Sequence, residues 1–237
     1  MQLVKLYPEV PRASDISVTG LCEDTRRAQP GMVFFAHAGS KQNGLSFIPS
    51  AIASGCVAIV VPEKTNPTDI PHNIPAHVPV IRAINTRADL ARCARILYPQ
   101  QPAHVMAVTG TSGKTSVTYF VQQFLNHAGK PAVSIGTIGM CGAATRDESL
   151  TTPEAPELHQ IMNDIAQKNI NCVAIEASSQ AIFQHRLDAL DLHAGAFTNL
   201  SRDHLDYHGT MDDYFSAKAR LFSTLLSSHG TAVINTD

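Results

Sequence analysis

A short stretch of glycine, hydroxyl and lysine residues offers the clearest chemistry in the sequence. Gly110-Thr-Ser-Gly-Lys-Thr115 follows the apolar run His104–Val108 and precedes a segment in which apolar residues recur at helical spacing. In a strand–turn–helix layout, backbone N–H groups of the turn close around phosphate oxygens, and the helix N-terminus adds positive potential. Lys114 would reach the terminal phosphates, and the Thr115 hydroxyl would bind Mg²⁺. The stretch therefore predicts a nucleotide-phosphate site.

The stretch is shorter than the general phosphate-loop pattern. G-x-x-x-x-G-K-[ST] requires glycine at position 108, where the sequence has Val108, and the first glycine is Gly110. This difference disfavours a P-loop kinase. The alternative is a plain glycine turn with an exposed lysine. The amphipathic helix predicted over 114–127, with Val117, Phe120, Val121, Phe124 and Leu125 at helical spacing, favours nucleotide binding.

Two further polar turns follow apolar runs that are typical of buried strands. Glu176–Gln180 follows Cys172–Ile175, and Thr198–His204 follows residues 194–197. In parallel α/β sheets, ligands bind beyond the carboxyl ends of the strands. We call Gly110–Thr115 the phosphate turn. We therefore predict that it forms one active site with these two turns.

Individual residues in these turns leave alternatives open. Glu176 ends an apolar run, where a carboxylate is costly unless it is paired or bound to a cation. We interpret it as a Mg²⁺ ligand beside Thr115, with a helix-cap partner or a surface ion pair as the alternative. Lys218 lies among apolar residues of a predicted helix. Such a lysine is either a surface residue with a buried stem or a buried amine that can take up chemistry.

Two more polar segments also allow structural explanations. Ser201–His208 holds two histidines and two aspartates, which fits a polar loop, a zinc site without supporting cysteines, or a second cation site less stringent than Mg²⁺. Thr152 can cap a helix that has Pro153 as its first residue. Its hydroxyl could equally hold an anionic substrate.

The elements that must position these residues follow from the alternation along the chain. Residues 1–98 predict a small N-terminal α/β domain with strands Val33–Ala36, Cys56–Val61 and Val80–Ile84 and helices Phe47–Ser54 and Thr86–Tyr98. After a linker at 99–103, strands at 104–108, 131–135, 172–176, 194–198 and 231–235 alternate with helices at 114–127, 155–168 and 212–226. Continuous apolar strands are typical of a sheet covered on both faces. We predict a mostly parallel, P-loop-type α/β sheet with helices on both faces.

Composition excludes several other classes. The chain has 237 residues, of which 44% are apolar and 16% charged, with a formal net charge of −2 and no basic run. A packed core is expected, and nucleic acid is disfavoured as a partner. No apolar stretch could span a bilayer, and the N-terminus lacks the apolar core of a secretion signal. The five cysteines have no C-x-x-C spacing. We expect a cytoplasmic monomer with reduced cysteines and no membrane insertion.

Several motifs in combination resemble those of the Mur ligases of bacterial cell-wall synthesis. They are G-T-S-G-K-T, T-T-P-E, E-A-S-S-Q-x-x-x-Q-H-R, T-N-L-S-R-D-H-L-D-Y-H-G and Y-F-x-A-K. The resemblance covers nearly the whole chain, and the S-R-D-H-L-D-Y-H-G block is very specific. The N-terminal E-D-T-R and G-S-K-Q-N-G resemble the family's uridine-nucleotide-binding domain. There Thr25 and Asn43 replace the family's more frequent serine and aspartate.

The resemblance implies an ATP- and Mg²⁺-dependent amide ligase of peptidoglycan synthesis. It would join the third amino acid, meso-diaminopimelate or L-lysine, to a UDP-N-acetylmuramoyl dipeptide through an acyl phosphate. ATP would bind at Thr109, Gly110, Thr111, Ser112, Gly113, Lys114 and Thr115. The implied catalytic residues are Lys114, Glu176, His204 and Lys218, and the implied metal ligands are Thr115, Glu176, His204 and Lys218 as a carbamate. The implied substrate-binding residues are Thr25, Ser40, Lys41, Gln42, Thr151, Thr152, Ser178, Gln184 and Arg186.

Two alternative functions stay open. The family member that adds D-alanyl-D-alanine shares the phosphate turn, but the T-T-P and D-H-L-D-Y-H-G blocks fit it poorly. The chain could also be a nucleotide- or UDP-sugar-binding module without catalysis. Substitution of Lys114 separates these classes, because a ligase would lose acyl-phosphate formation whereas a binding module would keep its affinity for the sugar nucleotide.

The family pattern continues beyond Asp237 with the rest of the ATP-binding domain and a C-terminal domain that binds the incoming amino acid. We therefore expect the chain to be a fragment that cannot complete ligation alone. With ATP, Mg²⁺, sugar nucleotide and either amino acid present, a phosphate-release assay should detect no sustained turnover. Full turnover by the 237-residue chain would refute this expectation.

Overall fold

The computed structural model of the chain describes residues 1–37, 43–146 and 150–236. Three predicted substrate-binding residues, Ser40, Lys41 and Gln42, lie outside the described residues. The chain divides into two compact units, Met1–Leu97 and Tyr98–Asp237. Each unit has its own sheet and its own apolar core.

The first unit is a parallel sheet with a helix on each face. Its strands are β1 (Gly20–Cys22), β2 (Met32–Phe35), β3 (Ala58–Pro62) and β4 (Val80–Ala83), in that spatial order. Helix α1 (Ile48–Ala53) packs on one face and α2 (Thr86–Leu97) on the other, so β2 and β3 are buried on both sides. The three predicted strands and both helices are present. Strand β1 was not predicted because so short a segment has no readable periodicity.

The second unit contains a larger sheet, with spatial order β10-β9-β5-β8-β6-β7. Its strands are β5 (His104–Thr109), β6 (Ala132–Gly136), β7 (Gly139–Gly142), β8 (Cys172–Glu176), β9 (Leu192–Phe197) and β10 (Leu226–Ile234). Its helices are α3 (Lys114–His127), α4 (Ala155–Gln167), α5 (Ser179–Phe183), α6 (Leu205–His208) and α7 (Met211–Arg220). Neighbouring strands are parallel except for the β6–β7 hairpin. The predicted mostly parallel α/β fold is thus confirmed.

The predicted helix at 212–226 is wrong at its carboxyl end. Helix α7 ends at Arg220, residues Leu221–Leu225 form a π-helical turn, and β10 already begins at Leu226. Leu226 pairs with Leu192, and the register then shifts before Thr231 pairs with Ala194. Because strand pairing is a long-range interaction, it overrides the helical pattern of the leucines in this segment.

Helix α3 is present over its predicted residues, but only part of its apolar stripe is turned inwards. Val117, Val121 and Leu125 are half-buried. Phe120 is 54% exposed and Phe124 is 72% exposed, whereas Thr118 and Gln122 are buried. The Thr118 hydroxyl donates to the Lys114 carbonyl oxygen at 3.1 Å, so a polar residue is satisfied on the inner face. Helical spacing of apolar residues therefore did not by itself identify the most buried positions of this helix.

The exposure of Phe124 on α3 gives a stability prediction. Leu158, on α4, is fully buried in the core of the second unit. Leu158→Ala should lower the free energy of unfolding by about 2–5 kcal/mol because it leaves a cavity. Phe124→Ala should change it by only about 0.5 kcal/mol. Urea unfolding followed by circular dichroism measures both, and equal losses in the two variants would contradict the described orientation of α3.

Candidate active site

The phosphate turn after β5 is shaped by two glycines and held by the turn after β9. Gly110 has φ +142° and Gly113 has φ +85°, a region that favours glycine. A Cβ atom on Gly110 would lie 1.9 Å from the Thr198 hydroxyl oxygen. That hydroxyl donates to the Ser112 carbonyl at 2.7 Å, and the Asn199 side-chain oxygen accepts from the Ser112 N–H at 3.0 Å. The two turns therefore have a fixed relative position.

Lys114 is the first residue of α3 and lies over the phosphate turn. Its Nζ donates to the carbonyl oxygens of Gly110, at 3.0 Å, and Thr111, at 2.9 Å. Burial lowers the pKa of Lys114, and the carboxylates of Glu176 and Asp203 oppose this effect. The ammonium group is thus held by two carbonyl oxygens of the turn itself.

Lys218, on α7, is buried rather than at the surface, with only 1% of the residue exposed. Its Nζ donates to the Gly110 carbonyl oxygen at 2.7 Å and lies 4.4 Å from the centre of the Tyr214 ring. Burial, followed by the positive charge of Lys114, lowers the pKa of Lys218 to about 7, with Asp203 opposing. About half of this amine is therefore neutral near pH 7, which makes it a nucleophile.

Glu176 ends β8 with its side chain buried against the turn after β6. One carboxylate oxygen accepts from the Thr137 N–H at 2.8 Å, and the other lies 3.4 Å from the Thr137 hydroxyl. A Cβ atom on Gly136 would lie 2.0 Å from the Glu176 Oε1. Glycine at position 136 is therefore what makes room for the carboxylate.

The two histidines of the segment 201–208 lie in different environments. His204 has φ +52°, precedes α6 and keeps nearly half of its side chain exposed. His208 is buried, and its Nε2 lies 2.9 Å from the Ser179 hydroxyl. Burial lowers the pKa of His208, and the positive charges of Lys218 and His204 act in the same direction. His208 is therefore an internal residue, whereas the half-exposed His204 can be reached by a ligand.

One cavity of about 320 Å³ lies at the carboxyl ends of these strands. All three polar turns contribute to it, so Lys114, Glu176 and His204 lie around one space, and Lys218 lies behind the Gly110 carbonyl. The lining residues are Thr111, Gly113, Lys114, Thr115, Thr137, Leu150, Thr151, Thr152, Glu176, Ser178, Ser179, Gln180, Arg186 and His204. The Thr115 hydroxyl and Glu176 carboxylate are the oxygen donors that Mg²⁺ prefers. His204 and Lys218 lie nearby. Residues 1–37, 43–146 and 150–236 contain no cluster of three or more His, Cys, Asp and Glu side chains that could hold a metal ion.

The predicted substrate-binding residues divide between the two units. Thr151, Thr152, Ser178 and Arg186 line the cavity. Gln184 does not line it but accepts from Arg186 at 2.7 Å and donates to the Tyr207 hydroxyl at 2.8 Å. Thr25 lies in the first unit, at the start of a 3₁₀ turn after Asp24.

Of the two alternatives for Thr152, the capping role is wrong. Helix α4 begins at Ala155, with Glu154 at the cap position and a proline in the first turn. The Thr152 hydroxyl instead donates to the Glu176 carbonyl oxygen at 2.7 Å. This long-range hydrogen bond links the segment before α4 to the end of β8, which local capping rules could not reveal.

One contributor to the site was missed in the sequence. Thr137 lines the cavity and binds Glu176. Thr198 and Asn199 lie in a turn that was predicted to join the site, and the structure adds that they support the phosphate turn. Thr137 directly follows β6, and the carboxyl end of a parallel strand is the place where the other site residues had been sought. That rule, applied to β6, would have found Thr137.

Comparison with known proteins identifies the class to which this fold and site belong. Residues 108–237 match the family model "Mur ligase middle domain", and residues 17–98 match "Mur ligase family, catalytic domain". The chain belongs to the Mur ligase family. No helix among its described residues is long and apolar enough to cross a membrane.

Individual relatives give the likeness in more detail. The chain is 45% identical over 228 residues to UDP-N-acetylmuramoyl-L-alanyl-D-glutamate–2,6-diaminopimelate ligase of Bradyrhizobium diazoefficiens, which covers 96% of this chain and 45% of the relative. The ligase of the same name from Brucella melitensis is 43% identical over 226 residues, covering 95% of this chain and 45% of the relative. A solved structure of a ligase of that name superposes with a TM-score of 0.82 at 27% identity, covering 100% of this chain and 47% of that one. The chain spans about half the length of the curated relatives it matches.

The burial of Lys218 predicts a pH-dependent stability. Its pKa is about 7 in the folded chain and 10.5 in the reference state, so the unfolded chain binds more protons between these values. The free energy of unfolding should therefore rise with pH from about 7 to about 10.5, by a few kcal/mol at most.

Urea unfolding at a series of pH values in CO₂-free buffer measures this slope. Lys218→Met should flatten it, whereas Lys130→Met, at an exposed position, should leave it unchanged. An unaltered slope in the Lys218 variant would contradict the assignment of a buried neutral amine.

Proposed function

We propose that the chain carries the nucleotide-binding and ATP-binding parts of an ATP-dependent amide ligase. The reaction joins 2,6-diaminopimelate to UDP-N-acetylmuramoyl-L-alanyl-D-glutamate in peptidoglycan synthesis. Both substrates appear in the names of the relatives. Residues 1–98 bind the uridine nucleotide, and residues 104–237 bind ATP. Residues 99–103 link these two parts. The observation that carries the proposal is the meeting of Lys114, Glu176 and His204 around one cavity, with the buried amine of Lys218 beside it.

The phosphate turn is proposed to hold the ATP triphosphate. Backbone N–H groups between Gly110 and Thr115 and the start of α3 provide donors for phosphate oxygens. Lys114 then exchanges its bonds to the Gly110 and Thr111 carbonyls for bonds to the terminal phosphates. Both acceptors lie within the turn, so the side chain needs only a local movement.

Thr115 and Glu176 are proposed to hold one Mg²⁺ ion. Both line the cavity, and Glu176 is oriented by the Thr137 N–H. When bound, Mg²⁺ offsets the repulsion between the ATP phosphates and the substrate carboxylate, two anions that must approach each other.

Lys218 is proposed to act as a carbamate. Its neutral amine attacks CO₂ to form an N–C bond and releases one proton to water, leaving R–NH–COO⁻. The product is an anion beside Lys114, so the repulsion that lowers the pKa of the amine becomes an attraction. The carbamate oxygens and His204 would hold a second cation.

The peptide end of the sugar nucleotide is proposed to bind in the same cavity. Arg186 can pair with a substrate carboxylate, and Thr151, Thr152 and Ser178 also line this cavity. Thr25 in the first unit, together with Ser40, Lys41 and Gln42, is proposed to bind the uridine end.

In the proposed reaction, the D-glutamate side-chain carboxylate attacks the γ-phosphorus of ATP, and ADP leaves. The amine of diaminopimelate then attacks the acyl phosphate, forming the amide and releasing phosphate and a proton. Lys114 and the cations stabilise the charge that develops on the transferring group.

A binding experiment tests the proposal on this chain. Lys114→Ala should weaken the binding of Mg²⁺–ATP more than tenfold, because it removes a charged phosphate contact worth about 1.5–3 kcal/mol. The affinity for UDP-N-acetylmuramoyl-L-alanyl-D-glutamate should stay the same. Isothermal titration calorimetry measures both affinities.

Lys130→Ala, at an exposed position beyond the end of α3, is the matched control and should change neither affinity. A wild-type chain that binds the sugar nucleotide without measurable affinity for Mg²⁺–ATP would instead be a binding module. A chain that binds ATP equally well with and without the Lys114 side chain would contradict the assigned phosphate site.

A further inference from the structure

Arg186, the cation of the cavity wall, is paired with a carboxylate of the chain itself. Its Nη2 lies 2.8 Å from Glu154 Oε1. Glu154 belongs to the T-T-P-E segment and stands directly before α4. A carboxylate–guanidinium pair of this kind is the contact that a substrate carboxylate would make with the same arginine.

The other contacts of Arg186 already fix its orientation. Nη1 donates to the Thr152 carbonyl at 2.8 Å, and Nε and Nη2 both donate to the Gln184 side-chain oxygen, at 3.2 and 2.7 Å. These acceptors are neutral and lie on two edges of the planar group. Glu154 therefore adds a negative charge to an arginine that is positioned without it.

Glu154 is also placed so that it can release the arginine. Its side chain is 26% exposed, compared with 13% for Arg186, so the carboxylate can return to water. Ion pairs that are partly open to water have small net energies, and a ligand that gains further contacts can displace such a carboxylate.

We propose that Glu154 is an internal competitor that occupies Arg186 until the substrate carboxylate displaces it. The inference rests on the proposed function, because it takes Arg186 as the anchor of the peptide end of the sugar nucleotide. Its consequence is selectivity. A ligand with a neutral group at this position leaves the Glu154–Arg186 pair intact and gains no contact with the arginine. A ligand carboxylate can take the place of the Glu154 carboxylate on Arg186.

The sign of one change in affinity tests the competitor role. Glu154→Gln keeps the size and shape of the side chain and removes its charge. It should tighten the binding of UDP-N-acetylmuramoyl-L-alanyl-D-glutamate about fivefold in calorimetry, with a larger gain at low salt. A residue that merely held Arg186 in place would give the opposite sign, so unchanged or weaker binding overturns the proposal.

Glu157→Gln is the matched control. Glu157 is on α4, one turn from Glu154, and pairs with Arg146 at 2.6 Å away from the cavity lining. Its variant should bind the sugar nucleotide as the wild type does. A fivefold gain in this variant as well would assign the effect to net charge and overturn the specific role of Glu154.

A second readout does not depend on the proposed substrate. In the absence of nucleotide, phenylglyoxal should modify Arg186 several-fold faster in Glu154→Gln than in the wild type or in Glu157→Gln, as followed by peptide mass mapping. Faster modification without any binding of the sugar nucleotide would support the competitor and contradict the proposed function. An unchanged rate of Arg186 modification would overturn the competitor itself.

Discussion

Two lysine side chains meet at one carbonyl oxygen, and much of the second unit is arranged around that meeting. Lys114 and Lys218 both donate to the Gly110 oxygen, at 3.0 and 2.7 Å. Burial is unfavourable for a charged amine, and the positive charge of Lys114 adds to the cost at Lys218. The pKa of Lys218 is therefore lowered to about 7, and the Tyr214 ring lies against its amine. A buried, half-neutral amine beside a phosphate turn is the result.

Sheet order and missing side chains allow the polar turns to come so close. Strands β9, β5, β8 and β6 are consecutive neighbours, so the turns at their carboxyl ends are adjacent. Gly110 leaves space for the Thr198 hydroxyl, and Gly136 leaves space for the Glu176 carboxylate. Each glycine leaves room for a side chain at the carboxyl end of another strand. The polar turns around the cavity are therefore in close contact with one another at these two glycines.

A common principle links Lys114 and Arg186, which line the cavity, and Lys218, which lies beside it. Each is paired with an acceptor of the chain itself: Lys114 with two turn carbonyls, Lys218 with the Gly110 carbonyl, and Arg186 with Glu154. A buried cation without such partners would be costly. Phosphate and carboxylate groups of a ligand offer the same kind of oxygen with more charge. Binding can then proceed as an exchange of acceptors rather than as the filling of an unfavourable site.

The sequence by itself determined the α/β class, the phosphate turn and the end-of-strand positions of Glu176 and His204. These features follow from local periodicity and from the rule that parallel strands present their carboxyl ends together. Tertiary structure alone decided that Lys218 is buried, that Thr152 binds the Glu176 carbonyl instead of capping α4, and that Phe120 and Phe124 of α3 face outwards. It also decided that α7 ends at Arg220 and that β10 begins at Leu226. Each of these outcomes depends on a partner far along the chain, and a pattern of neighbouring residues carries no information about such a partner.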